Sequence, residues 1–452
     1  MPDNQPLMEI KRKEKPDLSI QGGLLLTMQP GAEPLQDARL LIHQDRILEI
    51  LAPGEKNPYL PAAETLDARN TIIMPGLINT HCHTAMTLFR GLADDLPLKE
   101  WLFNKIFPAE ARYLNEDTVY WGTLLGCLEM IASGTTALAD GYFFQDAVVR
   151  AVHEAGLRGL IGQGVIDFPA PGAPDPTRNL KIGQTFFEKW TGFSDRITPG
   201  LFCHSPLTCS AKTLQGVLEI SKRFSAPLQI HLSETSEEVQ EIVKRTGKRP
   251  AYYLAGLGFL DHPLIAAHAV HLEPGEIKLL AEKQTKIVHV PESNMKLSSG
   301  VAPVPAMLKQ GLTMGLGTDG CASNNNLDLL REMDTAAKLH KVFSLDPVSM
   351  NAETVLNMAT VWGAKVLGLE QQIGTLEKGK KADLITVDLR KPHLTPLYNP
   401  YSALVYAAQG GDVRDVLVNG RYLLKNRKFQ TLDAEEIMNR VAAISRTIKV
   451  NV

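Results

Sequence analysis

The sequence predicts an α/β protein built as a (β/α)8 barrel of the TIM type, with a small β-sandwich domain assembled from both chain ends. Three observations carry that prediction. The middle of the chain alternates short apolar runs with helical patterns, as a closed parallel barrel requires. Both ends instead hold short strands broken by turn residues. The polar residues suited to chemistry fall at the carboxyl ends of the apolar runs in the middle, where barrels of this class place their sites.

Residues 1–17 are polar and charged, lack an apolar signal-type segment, and read as a flexible tail. Strands are expected at 18–20, 23–28, 38–42 and 46–50, separated by turns such as Gln44-Asp45 and Pro53-Gly54. The run Thr71-Ile72-Ile73-Met74 reads as a first barrel strand, buried on both faces and leading to His81 and His83. Seven further barrel strands are expected at 135–140, 158–166, 197–204, 228–232, 264–271, 286–290 and 313–318. Helical patterns at 146–155, 211–224, 237–245, 274–282 and 327–341 lie among them. Strand patterns return at 382–388, 413–418 and 420–424, to pair with those of the N-terminal end. The division expected is a tail over 1–17, a sandwich over 18–74 plus 376–435, a barrel over 75–375 and a C-terminal helix over 436–452.

With 452 residues, 44% of them hydrophobic, the chain can bury a large core, and a barrel can take up 250 or more residues as one domain. A net charge of -3 with mixed signs gives no electrostatic case for nucleic acid or an anionic membrane. No stretch approaches the ~20 apolar residues of a membrane span. The five cysteines are scattered in apolar contexts, which fits reduced thiols in a cytoplasmic enzyme better than a disulfide framework.

His81 and His83 stand at i and i+2, so on a strand they point the same way and can reach one metal ion while Cys82 faces the barrel wall. A lone HxH is weak, because such pairs arise by chance. It gains weight from His231 in Gln229-Ile230-His231-Leu232-Ser233-Glu234 and from Asp319 in Gly317-Thr318-Asp319-Gly320, both at expected strand ends. Three imidazoles and a carboxylate, with a water completing the shell, suit a single catalytic zinc. Such an ion lowers the pKa of its water towards about 7. Glu234, three residues after His231, is placed to act as general acid and base. His268, ending Ala266-Ala267-His268, is expected to orient the nucleophile, although a hydrogen-bonded core histidine looks the same in sequence. Asp319 is expected both to bind the metal and to accept a proton. His271 and His289 read as wall residues.

Absences narrow the chemistry. There is no HExxH and no H-x-E with P-C-x-x-C, which disfavours zincin proteases and the small-fold nucleobase deaminases. No GxxxxGK[ST] is found. The fourth barrel strand ends Cys203-His204, without the lysine that bridges two metals in binuclear barrel hydrolases.

With the HxH, HLSE, AAH and GTDG stretches in place, the chain resembles the amidohydrolase superfamily. Longer stretches, PGLINTHCHTAMTLFRGLADDLPLKEWL, HVPESNMKLSSGVAPV and GTDGCASNNNLDLLREM, are similar to its 5'-methylthioadenosine/S-adenosylhomocysteine deaminase family. That resemblance implies water attack at adenine C6 and release of ammonia, with Glu234 protonating N1 and Asp319 and His268 handling the hydroxide. It further implies that Glu110 holds the ribose hydroxyls, that Arg178 meets the homocysteine carboxylate, that His204 contacts substrate and that Trp101 closes over it. A homo-oligomer, at least a dimer, is implied as well, with 88–107 the segment expected to close over the ligand.

Some relatives carry a second arginine where this chain has Gln163. A lost charge-assisted contact of ~1.5–3 kcal/mol would favour methylthioadenosine, and adenosine, over S-adenosylhomocysteine by roughly ten- to a hundredfold. The competing readings are guanine or cytosine deamination and triazine hydrolysis on the same site, since fold and metal do not fix substrate. A scaffold protein derived from such a barrel is disfavoured by the complete ligand set. A nucleic-acid editing deaminase is disfavoured by the lack of a basic groove or a stacking series.

Overall fold

The computed structural model describes residues 15–448. Most of the tail expected over 1–17, and the last four residues of the helix expected over 436–452, lie outside that range. The helix itself runs Ala434–Ser445, capped by Asp433, whose side chain accepts the Glu436 N–H.

The central feature is a curled sheet of nine parallel strands. In spatial order these are Met314–Leu316, Lys286–His289, Leu264–His268, Leu228–Leu232, Ile197–Cys203, Arg158–Val165, Thr135–Tyr142, Leu77–His83 and Asp319–Gly320. The strands are short and almost wholly buried, as parallel strands covered on both faces are. The two outermost strands are consecutive pieces of chain with only Gly317 and Thr318 between them. Both flank Leu77–His83: Thr80 Oγ1 donates to the Leu316 carbonyl at 2.8 Å, while Asp319 pairs with Cys82.

Helices return the chain between strands, and their ends carry local stop and start signals. Ser210 caps Ala211–Phe224 and Thr235 caps Ser236–Thr246 by accepting backbone N–H groups. Gly247 ends the latter helix at φ 73°, a left-handed conformation that glycine adopts without a Cβ penalty. Leu329–Ser344 follows the last strand and begins at Asp328.

Two smaller sheets come from the chain ends. One has the order Arg46–Leu51, Arg39–His43, Leu18–Gln21, Glu64–Asp67. The other has seven strands, in which Thr71–Pro75 pairs antiparallel with Leu384–Asp388. Ile20, Leu40 and Ile47 of the first sheet and Ile73, Leu384 and Leu417 of the second share one buried cluster.

Here one expectation is corrected. The run 71–74 is not the barrel strand that carries the histidines. It belongs to the seven-stranded sheet, and the chain passes from it through Gly76 into a separate strand, Leu77–His83. Both runs are apolar and buried, so composition does not separate them. The partner strand, some 300 residues away, decides the assignment. The expected strand over 23–28 is likewise reduced to Leu24–Leu25, and Leu35–Gln36 and Glu64–Asp67 are additional.

A buried ion pair ties the large sheet to the small ones. Arg158, at the start of its strand, meets Asp383 at 3.0 Å with both side chains almost fully buried. Its remaining donors go to Asn419 Oδ1 and the Asp195 carbonyl. Among the described residues no helix is long and apolar enough to cross a membrane.

Candidate active site

Each strand end turns its polar residue toward one point, for local reasons. Alternation along Leu77–His83 sends His81 and His83 to one side, while the Cys82 thiol goes the other way to the Ala139 carbonyl at 3.3 Å. His83 donates from Nδ1 to the Gly141 carbonyl at 2.5 Å, which fixes the tautomer and leaves Nε2 for the centre. Gly317 permits the close approach of the last strand, since a Cβ there would lie 2.7 Å from the His81 carbonyl oxygen. Ser233, His268 and Asp319 take positive φ (51°, 71° and 59°) where strands meet loops. Such conformations are uncommon outside glycine and concentrate at functional sites.

The distances suit a metal. His81 Nε2 lies 3.2 Å from His231 Nε2 and 3.5 Å from Asp319 Oδ1, and His83 Nε2 is 3.2 Å from that same oxygen. Donors about 2.1 Å from a tetrahedral ion would stand about 3.4 Å apart. Ligand atoms of His81, His231, His268 and Asp319 all fall within 4.8 Å of one another. His268, expected beside the metal rather than among its donors, is thus inside this set, and His83 adjoins it through Asp319.

Electrostatics agree with that fit. Burial pushes His81 down to about 4, against the pull of Asp319, and His231 falls well below the usual histidine range through burial and its neighbouring imidazoles. Both are therefore neutral near pH 7, with lone pairs free to ligate. Burial would raise Asp319, but its close contacts with His81 and His83 outweigh it and hold the carboxylate well below its ordinary value. Its second oxygen accepts hydroxyls from Ser293 at 2.6 Å and Ser323 at 2.8 Å.

Glu234 sits beside this group, its Oε2 3.7 Å from His268 Nε2, with burial raising its pKa. His268 donates from Nδ1 to Asn294 Oδ1 at 2.9 Å, which leaves Nε2 facing the cluster.

A cleft opens over these residues. His83, Glu110, His204, Glu234, His268 and Asp319 contribute its polar lining, and Trp101, Phe107, Val165, Ile166, Phe202 and Leu297 line it with apolar surface. Glu110 is 2% exposed on the helix Phe107–Tyr113 and accepts a hydrogen bond from the Tyr142 hydroxyl. Burial raises it to about 7, with Tyr142 opposing. His204 bonds Thr208 Oγ1 through Nδ1 at 2.9 Å and is pushed down to about 3 by burial. Trp101 begins a short π-helical segment, Trp101–Ile106, and is buried.

Two residues named in advance stand apart. Arg178 is exposed on the turn Pro176–Arg178 and is not part of the lining, and Gln163 is buried with its amide on the Gly164 carbonyl at 3.3 Å. Four others were not singled out: Tyr142, which braces Glu110, Ser293 and Ser323, which hold Asp319, and Asn294, which orients His268. Three of them lie in the HVPESNMKLSSG and GTDGCASNNN stretches. Spacing alone does not reveal a hydroxyl's partner, so only the motif could have flagged them.

The amidohydrolase family pattern matches residues 72–423. The chain is 48% identical to the 5-methylthioadenosine/S-adenosylhomocysteine deaminase of Syntrophobacter fumaroxidans, an alignment covering 96% of this chain and 98% of the relative. It is 45% identical to the 5'-deoxyadenosine deaminase of Methanosarcina acetivorans, over 96% and 99% of the two chains. Among solved structures, an adenosine deaminase from Xanthomonas campestris with bound zinc superposes with a TM-score of 0.93 at 35% identity, covering 96% and 99%.

Proposed function

The chain belongs to the amidohydrolase family, and from that premise we propose that it is a zinc-dependent deaminase of 5'-substituted adenosines. Its substrates are 5'-methylthioadenosine first, then S-adenosylhomocysteine and adenosine; its products are the inosine analogue and ammonia. The observation that carries this reading is the meeting of His81, His83, His231, His268 and Asp319 beside Glu234, with buried Glu110 in the wall of the same cleft. The relatives' adenosine-type substrates supply the class.

On this reading His81, His83, His231 and Asp319 hold the zinc, whose chemistry is to supply an activated water at neutral pH. Glu234 passes a proton to adenine N1, a task suited to a carboxyl whose pKa burial has raised. His268 and Asp319 orient the attacking water, and Asp319 accepts its proton. Water adds at C6, the amino group takes up a proton and leaves as ammonia, and the ring keeps the oxygen. Glu110 receives the ribose hydroxyls, His204 contacts the bound nucleoside, and Trp101 covers it. Residues 75–375 then form the catalytic (β/α)8 barrel, closed where Met314–Leu316 and Asp319–Gly320 adjoin, and 18–74 with 376–435 form the β-sandwich.

The 5' end of the nucleoside meets a largely apolar wall in this account. Arg178 stands outside the lining and no arginine replaces Gln163, which favours an uncharged 5' substituent over the homocysteine zwitterion.

The test is ammonia release, followed with the ultraviolet change from adenine to hypoxanthine. Zinc-loaded protein is offered 5'-methylthioadenosine, S-adenosylhomocysteine, adenosine, guanine and a chlorotriazine. Turnover of the nucleosides, lost in Glu234→Ala with zinc content unchanged, is expected. Turnover of guanine or the triazine alone would overturn the substrate while leaving the metal chemistry in place.

A further inference from the structure

Glu332 is a fully buried carboxyl that the chemistry above does not use. It sits in the first turn of the helix Leu329–Ser344 and does not line the cleft. Among the described residues no ion pair offsets it; the neighbouring Arg331 approaches Glu292 instead, at 3.8 Å. Burial and the Glu292 carboxylate push its pKa up, so a carboxyl is a costly choice for a core position that an apolar side chain could fill. The groups it accepts from supply the reason.

Each oxygen takes a donor from a different loop of the site. Oε2 accepts the Glu292 N–H at 3.3 Å, near the start of the short helix Pro291–Lys296. Oε1 accepts Asn324 Nδ2 at 2.5 Å, at the end of the short helix Cys321–Asn324. Ser293 follows Glu292 and Ser323 precedes Asn324, and their hydroxyls meet on Asp319 Oδ2 at 2.6 and 2.8 Å. With that oxygen occupied, Oδ1 is left facing His81 and His83, at 3.5 and 3.2 Å. Asn324 Nδ2 also donates to the Thr318 carbonyl at 2.8 Å, in the peptide that leads into Asp319. Asp319 holds φ 59°, a conformation that persists outside glycine only where the surroundings enforce it. A second link runs beside the first. The Glu292 carboxylate accepts from Asn326 at 2.6 Å and from Thr335, on the same helix as Glu332, at 3.1 Å.

We propose that Glu332 is a positioning residue: it clamps the helices Pro291–Lys296 and Cys321–Asn324 together, so that both serine hydroxyls bear on one oxygen of Asp319 and the other oxygen is aimed at the metal. The proposal rests on the reading of Asp319 as a zinc ligand and adds to it a residue outside the cleft. Partners that orient a metal ligand from outside typically govern affinity or rate by about ten- to a hundredfold.

Glu332→Gln is the test. Both partners are donors and an amide has one accepting oxygen, so one loop is released at nearly constant volume. Zinc affinity is read by titrating the metal-free chain against a chromophoric chelator, and kcat and KM are measured with 5'-methylthioadenosine at saturating zinc. The zinc dissociation constant should rise roughly ten- to a hundredfold and kcat should fall by a similar factor. KM should stay within about twofold, because Glu110 and the apolar wall are untouched. Ser293→Ala with Ser323→Ala follows the same route without altering the core carboxyl, and should weaken zinc comparably. Combining all three changes should fall short of the product of the two losses by at least about threefold, whereas a purely structural Glu332 predicts the full product. The full product overturns the inference, and so does zinc affinity within about threefold of the unaltered chain in either variant. An unaltered chain that binds no zinc overturns the metal reading and this inference with it. Zinc binding needs no turnover, so an error in the substrate class does not obscure the result.

Discussion

Replacing Tyr142 by phenylalanine removes one hydroxyl and leaves the shape of the cleft wall unchanged. That hydroxyl donates to Glu110, a carboxyl 2% exposed and raised by burial to about 7. A hydrogen bond to a charged group contributes ~1.5–3 kcal/mol, and each pH unit corresponds to about 1.4 kcal/mol. The variant's Glu110 should therefore titrate roughly one to two pH units higher, near 8 to 9. Because the folded pKa is raised, the neutral form dominates below it. At pH 7.5 the ionised fraction would fall from about three quarters to roughly a tenth. If the carboxylate holds the ribose hydroxyls, KM for methylthioadenosine rises roughly tenfold at pH 7.5 and recovers towards pH 9.5, while kcat stays within about twofold. Steady-state ultraviolet assays from pH 6 to 9.5 measure both constants. A 2',3'-dideoxy nucleoside, lacking the hydroxyls, should show no such change. The reasoning is refuted if kcat falls with KM unmoved, or if the dideoxy compound responds equally.

Three further outcomes are expected. Asp383→Asn leaves the buried Arg158 guanidinium in contact with neutral groups alone, the substituted amide, Asn419 and the Asp195 carbonyl, and should lower the urea-derived unfolding free energy by about 3 kcal/mol; a loss under about 1 kcal/mol would show the pair to be dispensable. Gly317→Ala forces a Cβ against the His81 carbonyl, so bound zinc measured by mass spectrometry should drop together with about 1–3 kcal/mol of stability. Full zinc occupancy in that variant would refute the close-approach argument. Finally, kcat/KM for methylthioadenosine should exceed that for S-adenosylhomocysteine by roughly ten- to a hundredfold. A clear preference for the charged substrate would bring Arg178 into the bound state and reverse the reading of the cleft wall.

What could be read from sequence was periodic or short-range. A strand repeats every two residues, so His81 and His83 could be set on one side without knowing any partner. Strands alternating with helices place carboxyl ends together, which made His231, Glu234, His268 and Asp319 candidates for one site. Arg178 and Glu110 were equally plain as motif positions, yet burial separates them: one is exposed on a turn, the other lies beneath Tyr142.

Whatever depended on a distant partner was settled only by folding. The apolar run 71–74 could serve either sheet until Leu384–Asp388 paired with it. Glu110 looks like a solvated helix carboxylate until its helix packs over the strand that carries Tyr142. The hydroxyls on Asp319 come from residues 26 positions before it and 4 after it. Period and alternation were legible because backbone geometry imposes them locally. Burial, pKa and hydrogen-bond partnership were not, because they belong to pairs of residues that meet only when the chain closes on itself.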